Sequence, residues 1–148
     1  MKNILNNKKC LVTGASRGIG KSIVSKLLDS GVTVIASSSS HENLERLKDS
    51  FSKYGNSLST YKADLSKPNE VSNLCKSVQG NIGEIDILIN NAGILYLESI
   101  ENSNEQILRK SFEVNYFAAF ALCRFFTPSM IKNKAGTIIN ICSSSSYT

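Results

Sequence analysis

One run of eight residues, Thr13-Gly14-Ala15-Ser16-Arg17-Gly18-Ile19-Gly20, constrains the fold of this chain more than any other feature. It follows the apolar segment Cys10-Leu11-Val12 and leads into Ile19, Ile23, Leu27 and Leu28, which recur at helical spacing. Gly31 closes that helix. A strand that passes through glycines into a helix is suited to an anionic ligand. Glycine allows the tight turn and a close backbone approach. The helix start supplies free N–H groups and the positive end of its dipole. The predicted ligand group is a pyrophosphate. Gly20-Lys21-Ser22 also matches the tail of a GxxxxGK[ST] loop, but Ala15 holds that pattern's first glycine position and Gly14 stands one residue early. Asp86 lies near the start of its apolar strand, whereas a magnesium-holding acid belongs at the end. A triphosphate-cleaving site is therefore disfavoured.

The remaining pattern alternates. Val32 to Ala36 reads as a second strand, and Ser39 with Glu42 has capping-box spacing ahead of Leu44, Leu47 and Phe51. Leu58 to Ala63 is a third strand. Pro68 opens a helix continued by Val71, Leu74 and Val78. Ile85 to Ile89 is a fourth strand, apolar except for Asp86. A long helix spans about 105 to 131, with Pro128 expected to kink or loosen its last turn, and a fifth strand runs from Thr137 to Ile141. Near-continuous apolar strands separated by helices predict a doubly wound parallel α/β sheet of five strands, in one domain over residues 1–148.

Composition narrows the function classes. The net charge of +5 comes without a basic run interleaved with aromatics, so a nucleic-acid face is not expected, although the charge suits an anionic ligand. Cys10, Cys75, Cys123 and Cys142 form no metal-ligand spacing and His41 has no clustered partner, so no metal is expected. Reduced thiols suit a cytoplasmic protein. The longest apolar run, Tyr116 to Cys123, is eight residues, too short to span a membrane. Five of the six phenylalanines, Phe112, Phe117, Phe120, Phe125 and Phe126, fall on the long helix and keep to no single stripe. One face should meet the sheet and another a partner, so the 105–131 helix predicts a homo-oligomer.

The glycine loop resembles the TGxxxGxG loop of the short-chain dehydrogenases/reductases, and further motifs follow in that family's order. Ala63-Asp64-Leu65 follows the third strand and Asn90-Asn91-Ala92-Gly93 the fourth. Asn115 lies in Phe112-Glu113-Val114-Asn115, and Gly136 to Ser143 is similar to the fifth strand with its serine. The resemblance covers essentially the whole chain and implies a Rossmann-like, NAD(P)-binding fold. By it, Gly14, Ser16, Gly18, Ile19 and Gly20 contact the cofactor pyrophosphate and ribose, Asp64 and Leu65 hold adenine, and Asn91 and Ala92 line the adenine ribose. The asparagines also suit a turn in which their side chains bond backbone.

An NAD-preferring site carries an acid at the end of the second strand, bonded to the ribose 2′-hydroxyl. Here Ser38 and Ser39 stand there, and Arg17 offers a guanidinium to a 2′-phosphate. NADP(H) is expected over NAD(H). The resemblance further implies hydride exchange between the nicotinamide and a small-molecule carbonyl or secondary alcohol, with Ser143 bonding the substrate oxygen and Asn115 supporting a proton relay. It requires a tyrosine about a dozen residues past the serine and a lysine one turn beyond. Tyr147 is only four residues past Ser143 and no lysine follows. The expectation is a portion of the family fold, incomplete at its C-terminal edge. Alone, such a chain is expected to be catalytically inactive and marginal or self-associating, with an open sheet edge at the fifth strand. The alternative is a non-catalytic dinucleotide-binding module that acts through a partner.

Overall fold

A computed structural model describes residues 4–143. Tyr147 lies outside them. Five strands, β1 (Lys9–Thr13), β2 (Thr33–Ser38), β3 (Leu58–Lys62), β4 (Ile87–Asn90) and β5 (Thr137–Asn140), form one parallel sheet in the order β3-β2-β1-β4-β5. The helices are α1 (Gly18–Asp29), α2 (His41–Ser50), α3 (Pro68–Asn81), α4 (Glu105–Phe112) and α5 (Ala118–Lys132). This is the Rossmann-like doubly wound sheet that the alternation predicts.

Strands β1, β2 and β4 are covered on both faces, which explains their unbroken apolar runs. On one side Cys10, Val12, Val34, Ala36, Ile87 and Ile89 pack with Val24, Leu27 and Leu28 of α1 and Leu44 and Leu47 of α2. On the other, Leu11, Ile35 and Leu88 pack with α3 and with Val114, Ala118, Leu122, Phe126 and Met130. The last five recur every fourth residue and make one buried stripe.

Several boundaries differ from the sequence reading. β2 continues past Ala36 because Ser37 and Ser38 keep their ladder with Tyr61 and Lys62 of β3. The chain consequently turns one residue later, and Ser40, not Ser39, caps α2, its Oγ accepting from the Asn43 N–H at 3.2 Å. Ile19 is exposed, so the inner face of α1 is formed by Gly20, Val24, Leu27 and Leu28. The 105–131 helix is interrupted by a π-type turn, Glu113–Phe117, between α4 and α5. α5 runs through Pro128 to Lys132; so near the helix end, the proline forgoes a single hydrogen bond. Gly31 stops α1 as expected, at φ +76. The N–H of Val32 reaches the Leu27 carbonyl and that of Gly31 reaches Leu28, each at 3.0 Å, the paired bonds of a Schellman stop.

The aromatic helix has one buried side, as expected, and one bare side: Phe112, Tyr116, Phe117 and Phe120 are exposed. An apolar groove of about 730 Å³ runs between α3 and α5, lined by Val71, Cys75, Phe117, Phe120 and Phe125. β5 is an edge strand with every residue exposed.

Asp86 fastens the end of the sheet remote from the glycine loop. Its carboxylate accepts from Lys8 Nζ at 2.8 Å and from the Lys9 N–H at 2.9 Å, and its carbonyl accepts from Thr137 at 2.9 Å. Partial burial raises the pKa of this carboxyl, but the bonds from Lys8 and Lys9 and the charges of both lysines outweigh it and hold the group below the ordinary range. A depressed folded pKa stabilises the fold above the unfolded value, and the contribution is lost as pH falls through the folded one. Asp86→Asn is therefore expected to cost about 1 kcal/mol at pH 7, a figure reduced for solvent screening. The difference should shrink below about pH 4. Urea melts of both proteins across that range test this, and a pH-independent gap would contradict it.

Candidate dinucleotide-binding site

The sheet order reverses between β1 and β4, and there the loops leaving the two strands diverge. A cleft of about 450 Å³ opens at the C-terminal ends of β1 to β4. It is lined by Gly14, Ser16, Arg17, Gly18, Ile19 and Gly20 after β1, and by Ser38 and Ser39 at the end of β2. Asp64 and Leu65 after β3, and Asn91 and Ala92 after β4, complete the set of candidate binding residues expected from the sequence. Motifs spread from residue 14 to residue 92 come together in one concavity because parallel strands deliver all their C-terminal ends to one edge.

Two glycines shape the loop. Gly14, at φ +61, lies so close to Ala92 that a Cβ would stand 2.8 Å from its Cα. Gly18, at φ +51, has nothing within 4 Å of a Cβ position, so the space before the start of α1 is open. The free N–H groups of the first turn and the helix dipole serve that space.

Thr13 joins the two loops. Its buried Oγ1 accepts from the N–H groups of Asn91 and Ala92, both at 3.1 Å. Asn91 Nδ2 donates to the carbonyls of Thr13 at 3.0 Å and Gly14 at 3.1 Å. The Asn91 side chain thus bonds backbone, as its place in a turn suggested, while the residue still lines the cleft. Asn90 Nδ2 donates to Asn140 Oδ1 at 2.8 Å, tying β4 to β5.

At the end of β2, Ser16 and Ser38 share a hydroxyl–hydroxyl bond of 2.9 Å, and Ser38 Oγ accepts from the Ser40 N–H at 3.4 Å. Asp64 Oδ1 accepts from both the N–H and the hydroxyl of Ser66, at 3.0 and 2.8 Å. Burial raises the pKa of the Asp64 carboxyl, but these bonds and the charges of Lys67 and Lys110 more than offset it, holding the group below its ordinary value.

The two candidate chemical residues lie apart from this lining. Asn115 sits in the π-type turn, where such turns often mark functional positions. Its Oδ1 accepts from the Ile94 N–H and its Nδ2 donates to the Ile94 carbonyl, each at 2.9 Å. It thereby fixes the loop after β4. Ser143 is exposed, beyond the end of β5 and outside the cleft lining.

Ser37, Ala63, Gly93, Ile94, Lys110 and Val114 also line the cleft and were missed from the sequence. For Lys110 the available signal was helical phase: it precedes the buried Val114 by four residues. For Ser37 it was strand alternation. Among the described residues no cluster could hold a metal ion, and no helix is long and apolar enough to cross a membrane.

A parallel sheet with its order reversing beside a glycine loop defines the Rossmann class. Within it, the short chain dehydrogenase family model matches residues 8–148, and the chain belongs to that family. It is 33% identical to a fatty acyl-CoA reductase of Acinetobacter baylyi, covering 94% of this chain and 48% of that protein. It is also 33% identical to a 3-oxoacyl-[acyl-carrier-protein] reductase of Staphylococcus epidermidis, covering 93% and 57%. Among solved structures, a metagenomic short-chain oxidoreductase in complex with NADP superposes with a TM-score of 0.89 at 32% identity, covering 94% of this chain and 62% of that one. The L-sorbose reductase of Gluconobacter frateurii complexed with NADPH and L-sorbose gives 0.92 at 27% identity, covering 99% and 56%. The chain spans about half the length of the curated relatives it matches.

Proposed function

We propose that the cleft binds a nicotinamide dinucleotide, NADP(H) in preference to NAD(H), within a protein that exchanges hydride with a small carbonyl compound or secondary alcohol. The observation that carries the cofactor preference is the end of β2. Ser38, a neutral hydroxyl bonded to Ser16, stands where a carboxylate would repel a 2′-phosphate, and Arg17 lines the same cleft. Solved relatives in complex with NADP or NADPH support this reading.

The residues fit the group. Open space at Gly18 and the start of α1 suit the pyrophosphate, Ser38, Ser39 and Arg17 the 2′-phosphate, and Asp64, Leu65 and Ala92 the adenosine. The bound cofactor would supply the hydride. The chain supplies orientation: Thr13 and Asn91 lock the β1 and β4 loops together, and Asn115 holds Ile94 against the cleft. Ser143 is assigned to the substrate oxygen and Asn115 to the proton relay. Those two roles rest on the family resemblance.

Arg17→Ala is expected to weaken NADPH binding about tenfold, the worth of one charge-assisted contact, and to leave NADH binding nearly unchanged. Titration calorimetry at fixed salt tests this. Tighter binding of NADH than NADPH by the unaltered chain would overturn the preference.

A second reading, a dinucleotide-binding module that acts through a partner without catalysis, is favoured by the bare aromatic side of α4 and α5. Saturable NADPH binding without turnover of carbonyl substrates supports it, and turnover by the chain alone defeats it. Self-association through the 105–131 helix and residence in the cytoplasm are part of both readings.

A further inference from the structure

The end of β2 presents two serines to two different environments. Successive strand residues point to opposite faces of the sheet. Ala36 packs on the side of α1 and α2, and Ser38 shares that side, with its hydroxyl on Ser16. Ile35 packs on the side of α3 and α5, with Ala63, Leu65 and Val114. Ser37 faces that second side. It is 1% exposed, yet it lines the cleft, and its Oγ has no hydrogen-bond partner among the described residues.

A buried hydroxyl without a partner is costly, and native proteins leave few. Its nearest neighbours in the ladder do not serve it. Thr13, opposite on β1, spends its hydroxyl on Asn91, Ala92 and Ile89. Tyr61, opposite on β3, has its hydroxyl engaged by Asn81. On the same side of the sheet as Ser37, the buried Ala63, Leu65 and Val114 line the cleft, together with the charged Asp64 and Lys110. A single neutral donor–acceptor does not by itself suit a phosphate, which needs cations or several N–H groups. It suits the edge of a flat heterocycle, whose faces want apolar contact and whose ring nitrogens or amine want one hydrogen bond.

We infer that Ser37 is a binding residue for the base of the nucleotide, and that its hydroxyl completes its hydrogen bonding only when the base is bound. This rests on the dinucleotide reading of the cleft. The pleat then divides the work at the end of β2, with Ser38 toward the ribose and phosphate and Ser37 toward the base.

The test uses the full chain and two probes, NADPH and 2′,5′-ADP, in titration calorimetry, with thermal melts of the ligand-free proteins. Ser37→Ala is expected to weaken both probes by a similar factor, about fivefold, while the ligand-free melting temperature holds or rises because an unpaired hydroxyl has gone. Ser37→Cys, nearly isosteric with a poor donor, should weaken both as well and serves if the alanine variant folds badly. Unchanged affinity for both probes in Ser37→Ala overturns the inference and leaves the dinucleotide reading standing. Weaker NADPH binding with unchanged 2′,5′-ADP binding also overturns it, since the contact would lie elsewhere. Failure of the unaltered chain to bind either probe overturns the dinucleotide reading and the inference together.

Discussion

Gly20→Ala is expected to destabilise the fold by about 3 kcal/mol and to abolish dinucleotide binding. A Cβ at Gly20 would stand 2.2 Å from the Gly14 carbonyl oxygen, 2.9 Å from its carbon and 2.7 Å from Asn91 Nδ2. Two of those atoms are backbone, so relief requires α1 to move away from β1. That motion would also carry off the Asn91 bonds to Thr13 and Gly14. The same change at Gly18 separates shape from strain. No atom lies within 4 Å of its Cβ position, and only the positive φ of +51 opposes it, a cost of about 1 kcal/mol. Gly18→Ala should therefore fold nearly as well as the unaltered chain and still bind poorly, because its methyl enters the cleft. Urea melts read the first quantity and calorimetry with NADPH the second. Equal melting midpoints for Gly20→Ala and the unaltered chain would refute the close-packing account.

Thr13→Val should cost about 3 kcal/mol despite its nearly identical shape. Valine keeps the apolar contacts but strips the acceptor from the N–H groups of Asn91 and Ala92, leaving both donors without the oxygen they share. Thr13→Ser keeps the oxygen and loses only a methyl, so it should cost about 1 kcal/mol. The order of the two variants in urea melts is the decisive reading. If serine proves worse than valine, packing rather than hydrogen bonding holds the β1 and β4 loops together. A loss of NADPH binding in Thr13→Val would follow from the same cause, since both loops line the cleft.

Two of the cysteines, Cys10 and Cys75, lie in the core. Burial pushes the Cys10 thiol up to about 12 and Cys75 to about 11, so neither supplies thiolate near neutral pH.

Much of the site was legible along the chain because each part of it is a local device. A turn that needs positive φ shows as glycine, a capped helix start as a serine before an apolar run, and a strand covered on both sides as an unbroken run such as Ile87 to Ile89. The motifs after β1, β3 and β4 could be assigned to one ligand because parallel connections return every strand end to one edge. Local signals fix the type of element, and the family order of motifs fixes their company.

What tertiary structure decided is everything that depends on distance between segments. Thr13 looks like an ordinary strand residue until the β4 loop brings two N–H groups to its hydroxyl. Ser37 and Ser38 are identical in sequence character, and only the pleat, with Ala63, Leu65 and Val114 on one side and Ser16 on the other, makes them different. Lys110 joins the cleft from α4, one helical turn before the buried Val114 that also lines it. The 105–131 segment reads as one uninterrupted helix, and its π-type turn at Glu113–Phe117 appears only where Asn115 is held by the backbone of Ile94. Sequence determined the sheet, its order of elements and the glycine loop after β1, since these follow from backbone geometry and periodicity. The partners of each polar side chain were decided by packing, because a hydrogen bond is fixed by where two groups meet in space and not by where they lie in the chain.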